Sequence, residues 1–198
     1  MVKNNNFTLP QHFDISSQKR AKIKNQEPKC VWLTGLSGSG KSTLANALDK
    51  ELIQMGMHTY ILDGDNIRNG LCSDLGFGDK DRHENIRRVA EVSRLMFDAG
   101  LIVICAFISP FQRDRNFARS IYSDGEFIEA FVNTPMDVII KRDPKGHYQS
   151  AQKGLIENFT GIDSSYEIPE NPEIVIDTEE LSVDESIDKI KNYLGVLK

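Results

Sequence analysis

Gly35-Leu36-Ser37-Gly38-Ser39-Gly40-Lys41-Ser42-Thr43 follows the apolar run Val31-Trp32-Leu33 and opens a helical pattern of apolar residues. The stretch fits the phosphate-binding loop form G-x-x-x-x-G-K-[ST] at every position. Backbone N–H groups wrap a polyphosphate only where no Cβ blocks the approach, which Gly35, Gly38 and Gly40 allow. Lys41 supplies a positive charge, and Ser42 or Thr43 offers a hydroxyl to Mg²⁺. The N-terminus of the following helix adds partial positive charge where the phosphates lie. A strand before the loop and a helix after it are the context in which this motif holds a nucleoside triphosphate instead of merely turning the chain.

Downstream, Leu44, Ala47, Leu48, Leu52 and Met55 fall on one helical face, and Gly56 is a stop. A second strand over 60–62 ends in Asp63-Gly64-Asp65. A right-handed crossover puts the end of that strand at the same sheet edge as the loop, so the two acids sit near the bound triphosphate. The pattern then predicts a helix over 82–99, a strand over 101–107, a polar helix over 111–120 and a strand over 127–132. A short helix begun by Pro135 follows, then a last strand over 174–176. The last helix is opened by the capping box Ser182-Val183-Asp184-Glu185 and buries Val183, Ile187, Ile190 and Leu194. This alternation predicts a three-layer α/β fold of the P-loop kinase type, built around a mainly parallel sheet of about five strands. Residues 1–28 read as a loosely held polar arm with a short helix near 16–24, and 29–198 as one kinase domain. Within it, 142–172 lacks a sustained period and is rich in Gly, Pro, Lys and aromatic residues, which marks a lid.

The composition fits one globular α/β domain: 198 residues, 39% hydrophobic and 27% charged. A net charge of −5 argues against coating nucleic acid, so an anionic substrate must be held by a local cluster of Lys and Arg. Three cysteines, Cys30, Cys72 and Cys105, show no C-x-x-C spacing. A disulfide framework or cysteine zinc site is therefore not expected, and a reducing cytoplasm is. Neither an apolar signal core nor a run of about 18 apolar residues occurs, which predicts no membrane insertion.

Phosphoryl transfer needs a phosphate cradle, a metal, a group that orients or deprotonates the acceptor, and cations for developing charge. Asp63 and Asp65 point to one side if the strand continues through Gly64. One then orients the acceptor hydroxyl or acts as its base, and the other holds Mg²⁺ or a water. Arg68, Arg82, Arg87, Arg88, Arg142 and Lys145 cluster in segments at the C-terminal edge of the sheet, some of them as ordinary solvated charges. Arg82 and Asn85, on one helical turn, make an anion fork with Arg68. Phe77 and Phe159 lie in glycine-flanked loops, where they either clamp a planar base or pack as satellite core. Ser109, before Pro110, reads as a turn or helix cap. His12, His58, His83 and His147 lack metal-ligand spacing and read as surface or loop residues; Cys72 and Cys105 read as small buried hydrophobes.

Several longer runs add to these residues: WLTGLSGSGKSTL from Trp32, LDGDNIR from Leu62, DLGF from Asp74, ENIRR from Glu84, AFISP from Ala106, RDPKG from Arg142 and NFTGID from Asn158. Together they resemble adenylyl-sulfate kinase. The resemblance spans about 31–194 and implies transfer of the ATP γ-phosphoryl group to the 3′-hydroxyl of adenylyl sulfate, with Mg²⁺, in a homodimer of the sulfate-assimilation pathway. It implies that residues 35–43 hold the ATP phosphates, with Lys41 acting in catalysis. It makes Asp63 the acceptor-orienting acid or base, supported by Asp65; Ser42 and Asp65 are the metal candidates. By the same resemblance Arg68, Arg82 and Asn85 bind the sulfonucleotide, Phe77 and Phe159 sandwich its adenine, and Ile108 and Ser109 border the pocket. Arg142 lies on the ATP adenine, and Lys145 reaches the substrate's acidic groups. In some members the serine matching Ser109 is described as a transient phosphoserine, although direct transfer is the simpler chemistry. The chain departs from the family at Cys72 for Asn, Gln112 for Arg, His147 for Leu and Ser165 for Pro. Rival readings are another P-loop small-molecule or nucleoside-phosphate kinase, or a non-catalytic nucleotide-binding regulator; the absence of N-K-x-D argues against a GTPase switch.

Overall fold

The computed structural model describes residues 11, 13–143, 146–156 and 158–196. Its centre is a five-stranded parallel sheet: β1 (Cys30–Thr34), β2 (Thr59–Asp63), β3 (Ile102–Ala106), β4 (Phe127–Asn133) and β5 (Ile174–Asp177). The strand order is β2-β3-β1-β4-β5, so β1 lies in the middle and β3 separates it from β2. Every residue of β1 is buried. Side chains alternate across a pleated strand, so β1 serves two cores. Val31 and Leu33 join one with Leu44, Leu48, Ile187 and Ile190; Cys30 and Trp32 join the other with Ile86, Val89, Phe97 and Ala118.

The first core is covered by α2 (Lys41–Gln54) and α8 (Val183–Leu194), the second by α4 (Asp79–Asp98) and α5 (Gln112–Ser120). The result is the expected three-layer arrangement. In α8 the capping box forms as read: the Ser182 hydroxyl accepts from Glu185 N and the Glu185 carboxylate accepts from Ser182 N. Val183 departs from expectation and is exposed, because the first helical residue points past the sheet edge while Ile187 and Ile190 face it.

The arm carries α1 (Ser17–Ile23), which packs on the domain. Gly100 makes room for it: a Cβ there would lie 2.9 Å from Ala21 N. The Gln26 amide staples the junction, donating to the carbonyls of His58 and Gly100 and accepting from His58 N. Residues 1–10 and 12, hence His12, fall outside the described residues. Among the described residues no helix is long and apolar enough to cross a membrane. The three cysteines are free and buried.

All five strands run the same way, so their C-terminal ends define one edge. Over it pass the phosphate loop, α3 (Gly64–Arg68), the loop into α4, the Ser109 turn, α6 (Met136–Arg142) and α7 (His147–Gln152). The 142–172 segment is not wholly irregular, since α7 forms within it.

Candidate active site

The phosphate loop is held tightly from beneath. Gly35 has φ +153, and a Cβ on it would meet Val132 O at 2.5 Å, so only glycine lets β4 pass this close. Lys41 lies over the loop, donating from Nζ to the carbonyls of Gly35 (3.0 Å) and Leu36 (2.7 Å). Above the loop sits Tyr148 of α7, fully buried, whose hydroxyl donates to Ser37 O at 2.9 Å. Burial pushes the Tyr148 phenol up to about 12, so it remains a donor at neutral pH. Residues of the loop and α2 N-terminus, with Asp143, His147 and Tyr148, line a cleft of about 160 Å³.

A larger cavity of about 420 Å³ adjoins it, sharing Ser37, Gly38, Lys41, Ser42 and His147 with the cleft. Most of the candidate residues meet on its walls. Asp63, Asp65 and Arg68 enter from the end of β2 and α3, Phe77 from the loop before α4, and Arg82 and Asn85 from the first turns of that helix. Ile108 and Ser109 enter from the end of β3, and Phe159 from the 142–172 segment.

The Asp pair differs from its expected geometry. The chain turns helical at Gly64, so Asp63 caps α3 and accepts from Asp65 N at 3.1 Å, and Asp65 sits on the first helical turn. The second Asp63 oxygen accepts from Ser42 Oγ at 2.7 Å. Asp63 is therefore held against the phosphate loop, fixed by two hydrogen bonds.

The cations are held by backbone carbonyls. Arg68 donates to Gly76 O at 2.8 Å and lies 4.3 Å above the Phe77 ring. Arg82, buried, donates to Phe77 O and to Asn158 O, joining the loops that carry the two aromatic rings. Burial lowers the Arg68 pKa, and burial together with the charge of Arg68 lowers that of Arg82. Two like charges sharing a half-desolvated wall favour an anionic occupant. Asn85 is buried with its Nδ2 unpartnered, an unmet donor on the same wall. By contrast Arg87 and Arg88 pair with Glu84, and Arg88 also with Asp74 and Leu71 O. Arg88 thereby clasps the 71–74 turn to α4, with Glu84 shared between the two arginines.

Phe77 is exposed, whereas Phe159 packs edge-on against Tyr148 at 4.8 Å between ring centres. The Asp163 carboxylate accepts from the backbone N–H of Asn158 and Phe159, holding that turn. Ser109 is buried with φ +40; its Oγ accepts from Trp32 Nε1 (3.1 Å) and donates to Thr34 Oγ1 (2.9 Å). Arg142 lies outside both cavities, its guanidinium donating to the hydroxyl and carbonyl of Thr178. Lys145 falls outside the described residues. His147, read as a surface or loop residue, instead lines the junction of cleft and cavity, a placement that only α7 docking over Ser37 decides.

The family model for adenylylsulphate kinase matches residues 27–177. The chain belongs to the adenylyl-sulfate kinase family. It is 57% identical over 180 residues to an adenylyl-sulfate kinase of Marinobacter nauticus, covering 91% of this chain and 90% of that protein. Against the adenylyl-sulfate kinase of Vibrio parahaemolyticus it is 53% identical over 193 residues, covering 98% and 94% of the two. Among solved structures it is similar to the Mycobacterium tuberculosis APS kinase CysC in complex with AMPPNP and APS. That match has 43% identity and a TM-score of 0.82, and covers 85% of this chain and 98% of the other. As a family member the chain is a P-loop kinase, and its parallel sheet accords with that membership.

Proposed function

We propose that the protein transfers the γ-phosphoryl group of ATP to the 3′-hydroxyl of adenylyl sulfate, forming 3′-phosphoadenylyl sulfate. The observation that carries this reading is the junction of two cavities at Ser42 and Asp63, one a phosphate cradle and the other a cationic, aromatic-walled pocket. The cleft is the donor cradle. Lys41 leaves the loop carbonyls for the phosphates, the N-terminal N–H groups of α2 hold them, and Arg142 faces the ATP adenine. In the acceptor pocket Arg68, Arg82 and Asn85 bind the phosphosulfate, Lys145 contributes from the covering segment, and Phe77 and Phe159 bracket the adenine. Ile108 and Ser109 form the pocket wall.

Asp63, aimed by Ser42 and Asp65 N, receives the proton of the acceptor hydroxyl, and Asp65 supports it. Transfer is direct in this reading. The Ser109 hydroxyl is buried and engaged by Trp32 and Thr34, which suits a wall residue better than a phosphate carrier. Ser42 and Asp65 are hard-oxygen donors of the kind that fits Mg²⁺, which binds few protein ligands and completes its shell with water and phosphate. Bound there, Mg²⁺ would neutralise charge on the transferred group. A homodimer and cytoplasmic residence belong to the same proposal; sedimentation tests the dimer.

The deciding assay measures ADP release from Mg-ATP with adenylyl sulfate, AMP, adenosine and shikimate offered in parallel. Strong preference for adenylyl sulfate is expected; preference for AMP or shikimate would replace the acceptor while leaving the kinase.

A further inference from the structure

Arg115 lies behind the acceptor pocket, outside the cavity lining, with a side chain that is completely buried. Its charge is balanced within a four-member cluster: Arg115 Nε is 2.8 Å from Glu129, which Arg119 also contacts, and Arg119 pairs with Glu173. The contact with Glu129 is ionic and poorly aligned for hydrogen bonding, since Arg115 Nε and Glu129 Oε1 lack a hydrogen-bond partner. The directional bonds of the guanidinium go elsewhere. Nη1 donates to Ser109 O (2.7 Å), and Nη2 donates to Glu167 O (2.7 Å) and to Gln112 Oε1 (2.6 Å).

Those acceptors belong to two segments far apart in the chain. Ser109 is a left-handed residue on the pocket wall, and Glu167 stands near the end of the segment that covers the pocket. Further bonds cross the same seam: Glu167 N donates to Pro110 O, and Gln112 N to the Glu167 carboxylate. Next to Glu167, Tyr166 donates to or accepts from Thr34 Oγ1, which accepts the Ser109 hydroxyl. The planar fork sends separate nitrogens to carbonyls on two segments, a spread that the single Nζ of lysine does not match.

We propose that Arg115 is a positioning residue for the acceptor: its fork holds the strained Ser109 turn and anchors the C-terminal end of the covering segment, setting the pocket's width without touching substrate. This rests on the acceptor-pocket reading above. The donor cradle is built from the phosphate loop and α7, neither of which accepts a hydrogen bond from Arg115.

The test compares Arg115→Lys, Arg115→Met and Tyr166→Phe with wild type, measuring KM for adenylyl sulfate and for ATP, kcat, and melting temperature. Ile190→Ala, in the core on the opposite sheet face, serves as a destabilised control. Arg115→Lys is expected to raise KM for adenylyl sulfate roughly tenfold with KM for ATP within about twofold, a displacement effect. Arg115→Met should do the same or more, and Tyr166→Phe should follow at about threefold. The Ile190→Ala control should lower the melting temperature with both KM values unchanged. Equal movement of both KM values, or a lysine variant that behaves as wild type, would overturn the role. If Arg115→Met does not fold, the lysine and Tyr166→Phe variants still decide. Wild-type enzyme that ignores adenylyl sulfate would overturn the function instead, and the acceptor-to-ATP KM ratio would then be read on the acceptor it does use.

Discussion

The donor cradle and the acceptor pocket share a wall but are made in opposite ways. The cradle is nearly contiguous, nine residues from Gly35 to Thr43 closed by Tyr148 from above. The pocket draws on β2 and α3, the loop into α4, the Ser109 turn and the 142–172 segment. Its parts are stitched by buried arginines acting on backbone carbonyls: Arg82 between Phe77 and Asn158, Arg115 between Ser109 and Glu167. A binding site made locally needs chiefly its own backbone geometry. One assembled from distant segments needs internal ties, and buried arginines supply them here.

The sharpest way to break this comparison is at the shared wall. Asp63→Ala should lower turnover by roughly 10²–10⁴, the usual contribution of a positioned acid or base, while ATP affinity measured by calorimetry stays close to wild type. A parallel loss of ATP binding would mean that Asp63 serves the cradle instead. Next comes Arg82→Met, which removes a buried charge from the acceptor side alone. Truncations of this kind cost about 2–5 kcal/mol, so kcat/KM for adenylyl sulfate should fall at least thirtyfold with KM for ATP little changed.

Tyr148→Phe probes the cradle. Loss of one hydrogen bond to Ser37 O is worth about 0.5–1.5 kcal/mol, and KM for ATP should rise roughly threefold to tenfold with the acceptor KM nearly constant. The smallest effect concerns the clasp of the 71–74 turn. Hydrogen bonds from Arg87 and Arg88 depress the Glu84 carboxyl to about 2. A depressed folded-state value means that its stabilisation is complete above the ordinary carboxylate range, near 4.5, and fades as pH falls toward 2. Glu84 is well solvated, so the change should be modest. NMR shifts of residues 71–76 should move more over that interval than those of the phosphate loop, and Glu84→Gln should reduce the movement to the share of Asp74, the other carboxylate bonded to Arg88.

Much of the fold was legible because its signals are local. Continuous apolar runs marked strands buried on both faces, and helical spacing marked α2 and α8. Asp63 was legible too, as the end of a strand bound for the loop's edge. The direction of Asp65 was not, because Gly64 is compatible with either strand or helix and only the cap formed by Asp63 selects helix. Arg115 was hidden inside a polar helix, where an arginine reads as solvated. Its signal was Glu129, an acid within the apolar strand Phe127–Asn133, which must find a buried cation. His147 gave no such signal, since its place depends on where α7 docks.

By itself the sequence determined the phosphate loop, the α/β class and the residue types of both halves of the site, since glycine spacing, apolar periodicity and charge act through the nearest few residues. Tertiary structure decided which carboxylate meets Ser42, which arginines line the larger cavity and which brace its walls, and where His147 lies. Those outcomes turn on burial and on hydrogen bonds between segments far apart in the chain, and neither exists until the sheet brings its C-terminal edge together.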